Sequence, residues 1–163
     1  MPHSTQITAP ADFSALQADL ARLGKPLPDF LAPDAPSPAP STAPGEVRPA
    51  SYMTPLYLDY WLFHQLVRPR RTQWYEINLT SRDNLTDVLV RPCYGDPDLY
   101  VFSPLRGATG DGEASLLLVG YSVHEGCVDE QVGSFITHDF GGPGRYIIAV
   151  YGYTESAYML VVW

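Results

Sequence analysis

The sequence predicts an antiparallel β-sandwich preceded by a short amphipathic helix and a proline-rich extended arm. Three observations carry that expectation. From Thr72 onward, short runs of β-branched, aromatic and aliphatic residues are separated by turn signals at Arg82-Asp-Asn84, Gly95-Asp-Pro97, Gly107 to Gly112 and Gly141-Gly-Pro-Gly144. Residues 145–163 hold two such runs around a polar break from Gly152 to Ser156, the pattern of a hairpin whose second strand ends on Trp163. Before residue 52 the character changes, and eight of the sixteen prolines fall between Lys25 and Ser51.

Taken in chain order, the first element is a helix. Phe13, Leu16, Leu20 and Leu23 recur at i, i+3, i+7 and i+10, with Gly24 where a C-cap belongs and Thr8, Asp12 or Ser14 as candidate N-caps. A helix of roughly 12 residues is marginal alone, so it needs a surface, either its own β domain or another molecule. Residues 25–51 read as a polyproline-type spacer. The division expected is therefore 1–24, 25–51 and 52–163. Tyr52 to Leu66 is dense in aromatics. Thr54-Pro55 suits a helix start and the aromatic content suits a strand, so both stay open. Strands are expected at Trp74–Leu79, with Tyr75, Ile77 and Leu79 on one face, then at Asp87–Arg91, Leu99–Phe102, Ser115–Tyr121 and Gly133–Thr137.

Charge narrows the partners. The net charge is −8, and all of it falls after residue 71, where four arginines face twelve acidic residues. Such a field repels phosphate backbones, so nucleic acid is not an expected partner. No apolar run reaches the ~20 residues of a membrane helix, and Met1 to Ile7 lacks the basic and apolar regions of a secretory signal. The compartment is left unknown.

The residues that bear chemistry are few. Asp96 and Asp98 could give two carboxylates to Ca²⁺, which takes six to eight oxygens; the alternative is that they satisfy turn and backbone groups. Asp111, Glu113 and the Asp129-Glu130 pair read as solvated loop carboxylates. Cys93 and Cys127 could form a disulfide if neighbouring strands bring them together, or remain buried thiols. His124-Glu-Gly-Cys127 holds one imidazole and one thiol, too few for a zinc set and without the third group a Cys–His nucleophile needs. His3, His64 and His138 fall in no metal-binding spacing. No enzyme is expected. Eleven Tyr, three Trp and six Phe exceed what one small core needs, which makes Tyr57, Tyr60 and Trp61 candidates for a binding surface.

The order of four pieces adds a resemblance. Tyr75-Glu-Ile-Asn-Leu79, Gly95-Asp-Pro-Asp-Leu-Tyr-Val101, Gly144-Arg-Tyr-Ile-Ile-Ala-Val-Tyr-Gly-Tyr153 and Ala157-Tyr-Met-Leu-Val161 resemble the strands of a bacterial pre-peptidase C-terminal (PPC) domain across residues ~70–163. The resemblance implies a jelly-roll-like sandwich that is not an enzyme and that accompanies exported proteins; some relatives bind calcium and collagen. It points to the cell surface, the exterior or a large particle as the setting. The expectation is a non-catalytic structural or interaction protein. It would be anchored to a protein assembly by the helix residues Phe13, Leu16, Leu20 and Leu23 and the proline-rich arm. A calcium-assisted binding module for an extracellular protein or polysaccharide is the alternative, and a small-molecule substrate is not expected.

Overall fold

A computed structural model describes residues 13–31, 46–47, 53–104, 116–133 and 143–163. Within them one α-helix, α1 (Phe13–Arg22), and a single 3₁₀ turn (Asp29–Leu31) precede ten strands. The strands are β1 (Glu46–Val47), β2 (Thr54–Pro55), β3 (Leu62–Val67), β4 (Arg71–Leu79), β5 (Asp87–Tyr94), β6 (Pro97–Pro104), β7 (Leu116–Ser122), β8 (Glu130–Gly133), β9 (Gly144–Gly152) and β10 (Ser156–Val162). They build a six-stranded sheet in the order β1-β7-β6-β9-β4-β2 and a four-stranded sheet in the order β3-β10-β5-β8. Every pairing is antiparallel except the two-residue match of β2 with β4. The all-β sandwich is the expected class.

Alternation decides which side chains meet between the sheets. Tyr75, Ile77 and Leu79 of β4 face inward beside Leu99 and Val101 of β6 and Tyr146, Ile148 and Val150 of β9. From the other sheet, Val88 and Val90 of β5 and Tyr158, Leu160 and Val162 of β10 close on them. Two buried tyrosines in this layer answer each other across the sheets, with the Tyr75 and Tyr158 hydroxyls 2.6 Å apart. Burial pushes the Tyr75 hydroxyl up to about 12. Burying each large aliphatic side chain here contributes about 1.5–3 kcal/mol.

A second apolar layer lies on the outside of the six-stranded sheet. Leu16 and Leu20 of α1 and Leu31 pack on Tyr100, Phe102, Leu118, Tyr121, Ile147, Ala149 and Tyr151, with Phe13 and Leu23 partly buried at the margin. Phe30 stands edge-on to Trp74 and Tyr100, with ring centroids 5.1 and 5.3 Å away. The stripe read as a docking surface for another molecule, Phe13, Leu16, Leu20 and Leu23, thus faces the chain's own sheet. The reason is that the outer residues of β6, β7 and β9 are themselves large and apolar and need a cover. Gly24 takes the left-handed conformation of a helix C-cap, φ 69°.

Several other expectations change. Residues 25–31 belong to the folded body, with Lys25 and Leu31 buried, so the 25–51 spacer begins too early. Residues 54–66 form β2, a loop and most of β3, and no helix. Residues 145–163 are not a hairpin, because β9 pairs with β4 and β6 while β10 pairs with β3 and β5. The break at Gly152–Ser156 is a corner between sheets, and both runs are apolar on nearly every residue because each sits mid-sheet. Of the strand expected at Gly133–Thr137, Gly133 ends β8, and residues 134–137 fall outside the described residues. So do Thr8, Asp12, Asp111, Glu113, His3 and His138. Trp163 joins the sheet margin: its N–H donates to Asp87 O at 3.0 Å and its carbonyl accepts from Thr86 N and Asp87 N.

Candidate interaction surface

The outside of the four-stranded sheet differs from that of its partner. Tyr57, Tyr60, Trp61, Phe63, Leu66 and Tyr94 are the exposed large hydrophobic residues among those described, with relative exposures from 36% to 66%. All but Tyr94 lie between residues 57 and 66, on the β2–β3 loop and on β3. Tyr94 joins them through register: Ala157 of β10 pairs with Leu66 on one side and Tyr94 on the other. Directly paired residues share a face, so Leu66, Ala157 and Tyr94 form one row. Trp61 and Phe63 stack, with ring centroids 6.2 Å apart and planes 18° from parallel.

The backbone of this segment is also unusual. Among the described residues the non-glycine residues with positive φ are Asp59 (62°), His64 (55°) and Arg70 (56°). Such conformations cost roughly 1–2 kcal/mol each for ordinary side chains and gather where function requires a fixed shape. His64 sits in a bulge. Leu62 pairs with Leu160 and Gln65 with Tyr158, so β3 carries one more residue than β10 over that span. The bulge leaves both Phe63 and His64 exposed.

The carboxylates of the Gly95-Asp-Pro-Asp98 turn are committed elsewhere. Lys25 donates to Asp96 Oδ1 at 3.0 Å, to Asp98 Oδ1 and Oδ2 at 3.0 and 3.1 Å, and to the His124 carbonyl. Its ammonium also lies 4.8 Å from the centroid of the Tyr153 ring. Asp96 Oδ1 accepts further from Gly126 N at 3.0 Å, and Asp98 Oδ1 from His124 N at 3.3 Å. The turn therefore holds the β7–β8 loop as well as the segment after α1. Gly95 permits it, with φ 92° and with Ser156 Oγ so near that a Cβ would collide.

Glu130 extends this polar cluster. Its Oε2 accepts from Ser122 Oγ at 2.5 Å and lies 2.7 Å from His124 Nδ1. Burial raises its carboxyl to about 8, against the pull of the Ser122 hydrogen bond and the Lys25 charge. Burial likewise raises Asp98 well above the usual carboxylate range, with Lys25 opposing. Burial thus disfavours the charged form of Glu130, which limits the charge gathered around one ammonium. A serine, a histidine and a glutamate meet here, but the serine bonds to the carboxylate rather than to the imidazole and is fully buried. That order offers no activated nucleophile.

Of the residues singled out from sequence, Asp96 and Asp98 come together around Lys25, and Tyr57, Tyr60 and Trp61 are each exposed on the β2–β3 loop. Cys93 and Cys127 are free and exposed, so neither the disulfide nor the buried-thiol alternative describes them. The described residues contain no group of three or more His, Cys, Asp or Glu that could hold a metal ion. Sequence reasoning missed Phe63, Leu66 and Tyr94, which a strand pattern does not assign to a face until the bulge is known. It also missed Lys25, the only lysine in the chain, and Glu130, whose neighbour Asp129 does stay at the surface paired with Arg91 at 3.2 Å.

Fold and surface together define an all-β sandwich module, sealed on one face by its own leader and apolar at one edge of the other. Among solved structures it is similar to the 1.0 Å crystal structure of the pre-peptidase C-terminal domain of collagenase from Bacillus anthracis. The match has 18% identity and a TM-score of 0.47, and covers 71% of this chain and 98% of that one. No family model and no curated protein matches the sequence. No helix of the described residues is long and apolar enough to cross a membrane.

Proposed function

We propose that this chain is a non-catalytic interaction module of a larger protein assembly, which it contacts through the aromatic region of the β2–β3 loop and β3. One observation carries the reading. The exposed large apolar side chains concentrate between residues 57 and 66, and an exposed apolar cluster of this kind marks a contact surface. The proline-rich stretch beyond Leu31 leads back into the sandwich at β1, which pairs with β7, so it is not the anchoring arm in this reading. The helix is not the anchor in this reading, because its stripe covers the sandwich.

The test uses the full chain, since deleting residues 1–51 would also strip Leu16, Leu20 and Lys25 from the body. A Trp61→Ser/Phe63→Ser variant with unchanged circular dichroism should no longer co-sediment with the particulate fraction of the producing cells. Wild-type co-sedimentation of that variant sinks the reading.

The stacked Trp61–Phe63 pair favours one alternative, a calcium-assisted module for an extracellular protein or polysaccharide. Calcium would then take the place of the Lys25 ammonium between Asp96 and Asp98. Titration calorimetry with Ca²⁺ should show heat, and EDTA should lower Tm; no heat removes the metal from this alternative.

A further inference from the structure

The chain has two cysteines, and the fold sets them on neighbouring segments. β5 and β8 pair antiparallel from Asp87 with Gly133 to Val90 with Glu130. Carried on past β8, the same count brings Arg91 to Asp129 and Cys93 to Cys127. The first of these meetings is made, with Arg91 Nη2 3.2 Å from Asp129 Oδ2. At the second, Cys127 Sγ donates to the Pro92 carbonyl at 3.6 Å, and that carbonyl belongs to the peptide group leading into Cys93. Both thiols are free and exposed in this structure.

Each cysteine is brought out of its strand by a local device. On β5, Tyr94 pairs with Ala157 and Pro92 with Tyr158, so Cys93 is the extra residue of a bulge. A bulge re-aims side chains, and here Cys93 and Tyr94 both reach solvent. On the other segment, Gly126 turns the chain with φ 82°. Val128 N then donates to Gly126 O at 3.1 Å, a three-residue turn with Cys127 at its tip.

We propose that Cys93 and Cys127 form a dithiol–disulfide site that closes by reaction with a low-molecular-weight disulfide. The thiolate of one cysteine attacks the small disulfide, forms a mixed disulfide and expels one small thiolate. The thiolate of the other then attacks the protein sulfur of that mixed disulfide and expels the second. Two electrons pass from the protein to the small disulfide. The two thiol protons end on the two small thiols released, and one Sγ–Sγ bond is left. A disulfide needs Cα atoms about 4.4–6.8 Å apart, and residues opposed on antiparallel strands lie about 4.5–5.5 Å apart, so the continued register suits the bond. Closure also bears on the leader. Gly126 N donates to Asp96 Oδ1 at 3.0 Å, and the His124 carbonyl accepts from Lys25, so the bond ties to β5 the same loop that seats Lys25.

The test equilibrates the full chain, folded and in concentrated urea, with mixtures of oxidised and reduced glutathione, and reads the products by mass. The folded chain should lose two hydrogens and retain no glutathione. Its equilibrium constant for closure should exceed that of the unfolded chain by about tenfold or more, because folding has already brought the two thiols together. Cys93→Ser and Cys127→Ser should each stop at a single glutathione adduct. A folded chain carrying two glutathiones, a disulfide joining two chains, or equal constants in the folded and unfolded chains overturns the proposal. Hydrogen exchange at Gly126 should slow on closure, and an unchanged rate overturns the tie to the leader.

Discussion

On the outside of the six-stranded sheet, Tyr100, Phe102, Tyr121 and Tyr151 lie beneath α1, Phe30 and Leu31. On the outside of the four-stranded sheet, Phe63, Leu66 and Tyr94 remain exposed. Both faces present large apolar side chains, although the open one carries the β3 bulge and the exposed His64 and Arg91 as well. What separates them is a short leader, held by the leucines of α1, by Phe30 and Leu31, and by one buried ammonium. Aromatic content alone therefore does not distinguish a core face from a contact face; the distinction lies in whether the chain supplies its own cover.

The largest break in this contrast should come from Lys25→Met. It leaves Asp98 fully buried without its cation, at a cost of about 3–5 kcal/mol, measurable as a lower urea midpoint. Lys25→Met/Asp98→Leu should recover much of that loss, since neither charge is then stranded. Leu16→Ala under the cover should cost about 3 kcal/mol. The matching Leu66→Ala on the open face should stay within about 0.5 kcal/mol. Equal losses at the two leucines would erase the contrast.

A pH series sharpens it further. The Glu130 carboxyl is raised in the folded state from 4.5 to about 8, so the folded chain binds the extra proton between those values. Its contribution to stability is complete below about pH 4.5 and is lost as pH rises through 8. The expected decline is on the order of 2 kcal/mol, because the acids around Lys25 share the titration. Glu130→Gln should flatten that slope in urea melts at about pH 5, 7 and 9. A slope unchanged by Glu130→Gln would assign the pH response to other groups.

Much of the sandwich was legible because strand alternation and turn residues are local signals. Tyr75, Ile77 and Leu79 could be placed on one face from spacing alone, and α1 from its stripe and Gly24. The assignment of strands to sheets was not legible. Gly152–Ser156 has the length and polarity of a hairpin turn, yet β9 and β10 part there because each has two better-matched neighbours far away in sequence. The surface was half visible: Tyr57, Tyr60 and Trp61 stood out by density. Phe63 and Leu66 depend on an extra residue in β3, which only the partner strand reveals. Lys25 lay in a stretch whose prolines suggested a spacer, and nothing nearby in sequence announces acids some seventy positions on.

The bond from Lys25 to Asp98 spans 73 positions, and the platform beneath α1 is complete only with Tyr151. During synthesis the helix therefore emerges long before the strands that hold it. Its 10 residues are too few to stay helical unaided, and contacts so distant in sequence form slowly. Until those strands are made, the apolar stripe lacks the platform that buries it, and exposed apolar surface of that kind favours aggregation.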